Sequence, residues 1–231
     1  MAALTIAGTD SSGGAGITAD LKTFLAHDVW GFVAVTAVTA QNADGVHAIE
    51  AVSPALVAAQ IRAVRPAVAK TGMLPSRECV EAVLGALPTG VPLVVDPVLQ
   101  ATTGEALSVV TPQLIARATV ITPNREEAAA LTGAADPVEA AGLLVRMGAQ
   151  VVMVTGSESA RDIVATAADV LTLDGVPIDA PNTHGTGCIL SAAITAELAK
   201  GMDPVDACIA AKHFVAQALA AGYPFFDSLP A

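Results

Sequence analysis

Positive charge is scarce in this chain of 231 residues: 11 lysines and arginines stand against 22 aspartates and glutamates, a formal net charge of -11. Proteins that hold nucleic acid neutralise its phosphates with clustered Lys and Arg, so this balance excludes that class and leaves no nucleic-acid partner expected. An acidic surface of this kind chiefly favours solubility. Cysteine is sparse as well. Cys79, Cys188 and Cys208 are odd in number, widely spaced and form no C-x-x-C pair, which argues against a disulfide framework and against a zinc site. Two of the three read as small core residues. Long hydrophobic runs are missing too. The longest uncharged apolar-leaning stretch, 29–43, is broken by Thr36, Thr39 and Gln41 and falls short of the ~18 residues that a membrane helix needs, so no membrane partner is expected. The opening Met1-Ala2-Ala3-Leu4-Thr5-Ile6 has no basic flank and reads as a first strand rather than a signal peptide, with the cytoplasm as the default location. Finally, no Gly/Ser-rich or charged linker and no repeat of fixed period divides the chain, so one domain over 1–231 is expected.

What is present is 53% hydrophobic residues, much of it alanine and valine, with 14% charged, a composition that excludes disorder and suits an enzyme-like globule. Short β-rich runs at 3–7, 33–38, 67–71, 93–96, 120–122, 151–155 and 168–173 alternate with helical stretches at 17–27, 54–64, 76–87, 112–116, 126–131, 137–147, 186–200 and 204–221. That alternation predicts repeated βαβ units: an α/β fold with a mainly parallel central sheet and helices on both faces. Ser53-Pro54, Thr111-Pro112, Asp136-Pro137 and Asp203-Pro204 each place a capping side chain before a first-turn proline.

Ligands of such sheets gather beyond the carboxyl ends of the strands, and the unusual loops fall there. The segment Asn182-Thr183-His184-Gly185-Thr186-Gly187-Cys188 runs straight into an apolar helix. A glycine-flanked turn that opens a helix points unpaired N–H groups and partial positive charge outward, a cradle for phosphate. Cys188 in that first turn is a candidate general base; the dipole lowers a thiol pKa, a nearby nucleotide phosphate raises it, and a buried structural cysteine is an equally good reading. His184 reads more readily as a backbone-bonded loop residue than as a catalyst. The early loop Gly8 to Gly16 lacks both the P-loop lysine and the spacing of a dinucleotide fingerprint. Gln41 offers a donor and an acceptor in one plane, suited to a ring nitrogen with its exocyclic amine, although a lone strand-end Gln is more often simply solvated. Asp96, Asn124 and Glu127 are hard oxygen groups appropriate to Mg²⁺ around a phosphate chain. Asn124 with Glu127 three positions later equally fits a helix capping box.

As an ordered set, the segments Thr5 to Lys22, Thr39-Ala40-Gln41-Asn42, Lys70-Thr71-Gly72-Met73-Leu74, Asp96-Pro97-Val98, Thr122-Pro123-Asn124-Arg125-Glu126-Glu127 and Asn182 to Cys188 closely resemble the hydroxymethylpyrimidine/phosphomethylpyrimidine kinases of thiamine biosynthesis, in the ribokinase superfamily. The resemblance runs from Leu4 to about Phe214 and implies a single ribokinase-like domain, commonly homodimeric. It implies a kinase moving the γ-phosphoryl of ATP onto a small-molecule substrate, 4-amino-5-hydroxymethyl-2-methylpyrimidine, and then onto its monophosphate. It further implies that Gln41 recognises the aminopyrimidine with Ala15, Asp20 and Met73, that Gly185, Thr186 and Gly187 form the anion hole, and that Cys188 stands where many relatives carry an aspartate base. Asp96, Asn124 and Glu127 would organise Mg²⁺ and the nucleotide, with Thr155 on the nucleotide side. Two departures are visible. Thr155-Gly156 stands where most relatives have a lysine, and Thr102-Thr103-Gly104 lacks another often found there, leaving fewer cations for the ATP phosphates. A Thr-Gly at that strand also occurs in bacterial pyridoxal kinases of the same branch, although these lack the Ala40-Gln41-Asn42 pattern. The competing expectations are therefore a pyridoxal/pyridoxine kinase and a relative that binds pyrimidine or nucleotide without turnover.

Overall fold

In the computed structural model, which describes residues 1–42, 45–99, 107–156, 160–178 and 185–220, the chain runs β1 (Ala2–Gly8), α1 (Gly16–Ala26), β2 (Trp30–Asn42), β3 (Gly45–Ala51), α2 (Pro54–Arg62), β4 (Val68–Thr71), α3 (Arg77–Ala86), β5 (Leu93–Val95), α4 (Pro112–Arg117), β6 (Val120–Ile121), α5 (Arg125–Thr132), α6 (Pro137–Arg146), β7 (Val151–Val154), β8 (Asp162–Thr166), β9 (Val170–Leu173), α7 (Thr186–Ala199) and α8 (Pro204–Ala220). The strands join one sheet in the order β3-β2-β1-β4-β5-β6-β7-β8-β9. Six central strands are parallel, and the three junctions β2–β3, β7–β8 and β8–β9 are antiparallel. Continuous apolar runs such as Leu93–Val95 and Val151–Val154 are buried throughout, as expected where helices cover both faces.

The alternating side chains of each strand divide the core. Leu4, Ile6, Val95 and Val152 face α2 to α6 with Val57, Val83, Leu114 and Leu144. Ala3, Val68, Val94, Val120 and Met153 face α1, α7 and α8 with Phe24, Ala192, Ile194 and Cys208. Helix α7 is buried on nearly every side, from Ile189 to Ala199, which explains its largely apolar sequence. The capping expectations hold: Ser53, Thr111 and Asp136 accept first-turn N–H groups before their prolines, and Asp203 accepts the Val205 N–H at 2.9 Å.

The edges differ from the sequence expectation. Strand β2 extends through Gln41 and Asn42, so 39–42 is not a loop but the arm of a hairpin with β3, a strand that the reading missed. Residues of β3 are mostly exposed, so no burial enforces an apolar alternation there. Strand β8 was missed as well, and the expected strand at 168–173 is confined to Val170–Leu173, its antiparallel partner. Because β1 lies between β2 and β4, chain direction across the sheet reverses at β1 and β4, and a crevice opens beyond their carboxyl ends.

Candidate active site

The crevice is an open cleft lined by Ala7, Gly8, Thr9, Ala15, Gly16, Gln41, Lys70, Gly72, Met73, Val98, Leu107 and Cys188. Its first wall is the β1–α1 loop, wound around one carboxylate. Asp10 Oδ1 accepts from the Ser12 N–H (2.9 Å) and hydroxyl (2.8 Å), and Oδ2 accepts from the Ala15 N–H at 2.8 Å. Thr9 and Ser11 stitch the loop to β2: the Thr39 N–H donates to Thr9 Oγ1 (3.0 Å) and Ser11 Oγ donates to the Thr39 carbonyl (2.7 Å). Gly16 sits at φ 56, and a Cβ there would come within 2.4 Å of the Gly8 carbonyl oxygen, so only glycine fits.

Against this loop stands the start of α7. Gly185 is its N-cap at φ 82, and a Cβ would lie 1.9 Å from the Gly14 carbonyl oxygen, so the two glycine segments meet backbone to backbone. Among the described residues no side chain caps this helix, and no acidic residue occupies its first turn. The first-turn amides of Thr186, Gly187 and Cys188 have no partner within the helix, the arrangement that suits an anion. Asn182, Thr183 and His184, like Thr102 to Gly104, lie outside the described residues.

Beneath Cys188 runs a buried polar chain that the sequence reading did not assemble. Lys70, in the middle of β4 and fully buried, donates to Asp20 Oδ1 at 2.7 Å and lies 3.7 Å from Asp96 Oδ2. Thr5 Oγ1 donates to Asp20 Oδ2. Ser191 Oγ reaches Asp96 Oδ2 at 2.9 Å and the Cys188 carbonyl at 3.0 Å, fastening Asp96 to the turn that carries the thiol. Burial opposes the charged forms of both Lys70 and Asp20 and pushes the Asp20 carboxyl up; two carboxylates nonetheless hold the Lys70 ammonium above its ordinary range, so it remains a cation under the cleft. The signal available in the sequence was a lone lysine inside an apolar strand, which must find a partner.

The expected site residues separate into three groups. Ala15, Gln41, Met73 and Cys188 line the cleft. Asp20 does not; it is fully buried beneath the floor and engaged by Lys70 and Thr5. Asn124 and Glu127 form the capping box of α5, with the Glu127 N–H on Asn124 Oδ1 at 2.8 Å and the Asn124 N–H on Glu127 Oε2 at 3.0 Å. Thr155 follows β7 beside them, donating its N–H to the Pro123 carbonyl at 2.9 Å. Gly156 next to it donates to Asp162 Oδ1, and Lys212 holds the other oxygen of that carboxylate at 2.7 Å.

At Cys188 burial outweighs the helix dipole. Burial pushes the thiol up to about 12, Lys70 opposes the rise, and Asp96 and Asp20 add to it. Glu127 is raised to about 7, first by burial and then by the charge of Asp96. Among the described residues no group of three or more His, Cys, Asp and Glu side chains could hold a metal ion. Asp96 and Glu127 are a pair of hard oxygen groups already engaged by protein donors, which fits Mg²⁺ retaining its waters and phosphate ligands rather than an all-protein cage.

With this geometry in place, comparison with known proteins is informative. A family model described as phosphomethylpyrimidine kinase matches residues 10–227. The hydroxymethylpyrimidine/phosphomethylpyrimidine kinase of Synechococcus elongatus is 42% identical over 240 residues, covering 94% of this chain and 90% of the relative. Among solved structures, an ADP complex of Bacillus subtilis pyridoxal kinase superposes with TM-score 0.80 at 36% identity, covering 94% of this chain and 91% of the other. Phosphomethylpyrimidine kinase from Clostridium difficile gives TM-score 0.78 at 33% identity, with 94% and 99% covered.

Proposed function

The chain belongs to the phosphomethylpyrimidine kinase family, and from that premise we propose that its β1–β4 cleft is where ATP phosphorylates 4-amino-5-hydroxymethyl-2-methylpyrimidine and then the monophosphate, in thiamine biosynthesis. One observation carries the reading: an uncapped helix N-terminus opens beside a cleft that also holds Gln41 and Cys188. The Gln41 amide takes the ring nitrogen and amine of the pyrimidine, and Ala15 and Met73 enclose its faces. Asp20 serves recognition indirectly, by holding Lys70 under the floor.

The amides from Gly185 to Cys188 face the transferring phosphoryl group, where charge develops on its equatorial oxygens. In the first step the substrate hydroxyl attacks phosphorus, its proton passes to the Cys188 thiolate and the bond to the ADP oxygen breaks. In the second step the attacking oxygen belongs to an already ionised phosphate, so no base is required. Asn124, Glu127, Asp96 and Thr155 stand on the nucleotide side; Asp96 and Glu127 would hold Mg²⁺ there, and the ion would neutralise charge on the phosphate chain. Lys70 adds a fixed positive charge beneath the same region.

Three free cysteines and dependence on ATP fit the cytoplasm, and no single described helix is long and apolar enough to cross a membrane. A homodimer is the assembly we favour: β3 is the edge strand of the sheet and mostly exposed, an open edge that a second copy would cover. The whole chain, 1–231, is taken as one kinase domain.

A second reading, a pyridoxal kinase, is favoured by the likeness to the Bacillus enzyme and by Thr155-Gly156. The Met73, Val98 and Leu107 wall does not by itself separate a hydroxymethylpyridine from a hydroxymethylpyrimidine. Coupled ADP release with the pyrimidine alcohol, its monophosphate and pyridoxal separates them. Turnover of both pyrimidines is expected. Turnover of pyridoxal alone would replace the first reading with the second, and binding without any ADP release would mark a non-catalytic relative.

A further inference from the structure

Val98 carries a backbone conformation that a β-branched residue rarely adopts. Its φ is 43, in the left-handed region, and such outliers persist only where neighbouring structure over-determines them. The next residue shows what does so. The Leu99 N–H donates to Glu127 Oε1 at 3.0 Å, and the Leu99 carbonyl accepts the Leu107 N–H at 3.0 Å. Glu127 Oε2 meanwhile accepts the Asn124 N–H at 3.0 Å. One carboxylate thus joins the start of α5 to the segment that places both Val98 and Leu107 on the cleft wall.

We propose that Glu127 is a positioning residue for the acceptor pocket, fixing Val98 and Leu107 around the pyrimidine through Leu99; the identity of the acceptor rests on the function proposed above. Two N–H donors converge on this side chain, so it must present two acceptor oxygens. A glutamine presents one, and its NH₂ would oppose the remaining N–H. The role is distinct from organising the nucleotide, because it acts on the acceptor before nucleotide or metal has bound. It also couples the two halves of the site, since α5 begins at Asn124 on the nucleotide side.

The test is calorimetric titration of the full chain with the pyrimidine alcohol in EDTA, without nucleotide. Glu127→Gln is expected to weaken binding about tenfold, ~1.4 kcal/mol. Val98→Gly, which relieves the strain and removes the wall, should also weaken it. The double variant should lose little beyond either single one, because both act on the same segment. Binding by E127Q within about twofold of the unsubstituted chain, or fully additive losses, would overturn the proposal. Should E127Q fail to fold, amide exchange in the unsubstituted chain decides: the pyrimidine alone should slow exchange at Leu99 and Asn124 together, and an unchanged Asn124 would overturn it. An unsubstituted chain that neither binds nor phosphorylates the pyrimidine would instead remove the functional premise, and this inference with it.

Discussion

Replacing Cys188 by alanine is expected to divide the two phosphorylations. With the thiol pushed up to about 12, only a very small fraction of molecules carries a thiolate near neutral pH. The base form is therefore a minor species, and the alcohol step should accelerate as pH rises, by about tenfold per unit between pH 6.5 and 9 with no plateau. General-base assistance is worth on the order of a hundred- to ten-thousandfold, so C188A should lower kcat for the alcohol by that range. The monophosphate, whose second ionisation lies near pH ~6, needs no proton removed and should lose no more than about tenfold. The loss there would come from altered packing at the first turn of α7. Coupled ADP release on each substrate across that pH range measures both effects, and the pH slope for the alcohol should vanish in the variant. Equal losses on the two substrates, or a plateau near neutrality in the unsubstituted enzyme, would refute the reasoning.

Lys70→Met leaves Asp20 buried without its cation, a change that costs about 3–5 kcal/mol and should lower Tm by roughly 6–20 °C in a chain of this size, with Asp20→Asn restoring part of the loss in the double variant by thermal melting. Gly185→Ala forces a Cβ to within 1.9 Å of the Gly14 oxygen, so both phosphorylations should fall together, unlike C188A; retention of either step in steady-state assays would show that the helix start is not the phosphoryl site. Gln41→Leu should raise KM for the pyrimidine by roughly ten- to a hundredfold while KM for ATP stays within about twofold, as expected when a polar recognition group is left unpaired.

The parts legible in the sequence are those written locally. Ser53-Pro54, Thr111-Pro112 and Asp136-Pro137 announce their helices because cap and first turn are neighbours in the chain. The largely apolar 189–199 announces a helix buried on most sides. Strand β3, exposed at the edge, has no burial to impose a pattern, and β8 is a five-residue strand beginning at a charged Asp162 that pairs with Lys212 far along the chain. The same distinction governs the site. The expectation of a phosphate cradle follows from glycines next to a helix start, whereas the resemblance points Asp20 at the ligand and nothing in spacing reveals Lys70, 50 residues away, as its partner. Glu127 could be read as a cap for Asn124, three residues before it, but its second bond, to Leu99, spans 28 residues and appears only in three dimensions.

The most direct measurement is a crystal structure of the enzyme with a non-hydrolysable ATP analogue and the pyrimidine alcohol. Its terminal phosphoryl group should accept hydrogen bonds from the amides between Gly185 and Cys188, with the substrate hydroxyl between Cys188 Sγ and phosphorus. A terminal phosphoryl group bound elsewhere, with the start of α7 closed off by protein, would contradict the central claim.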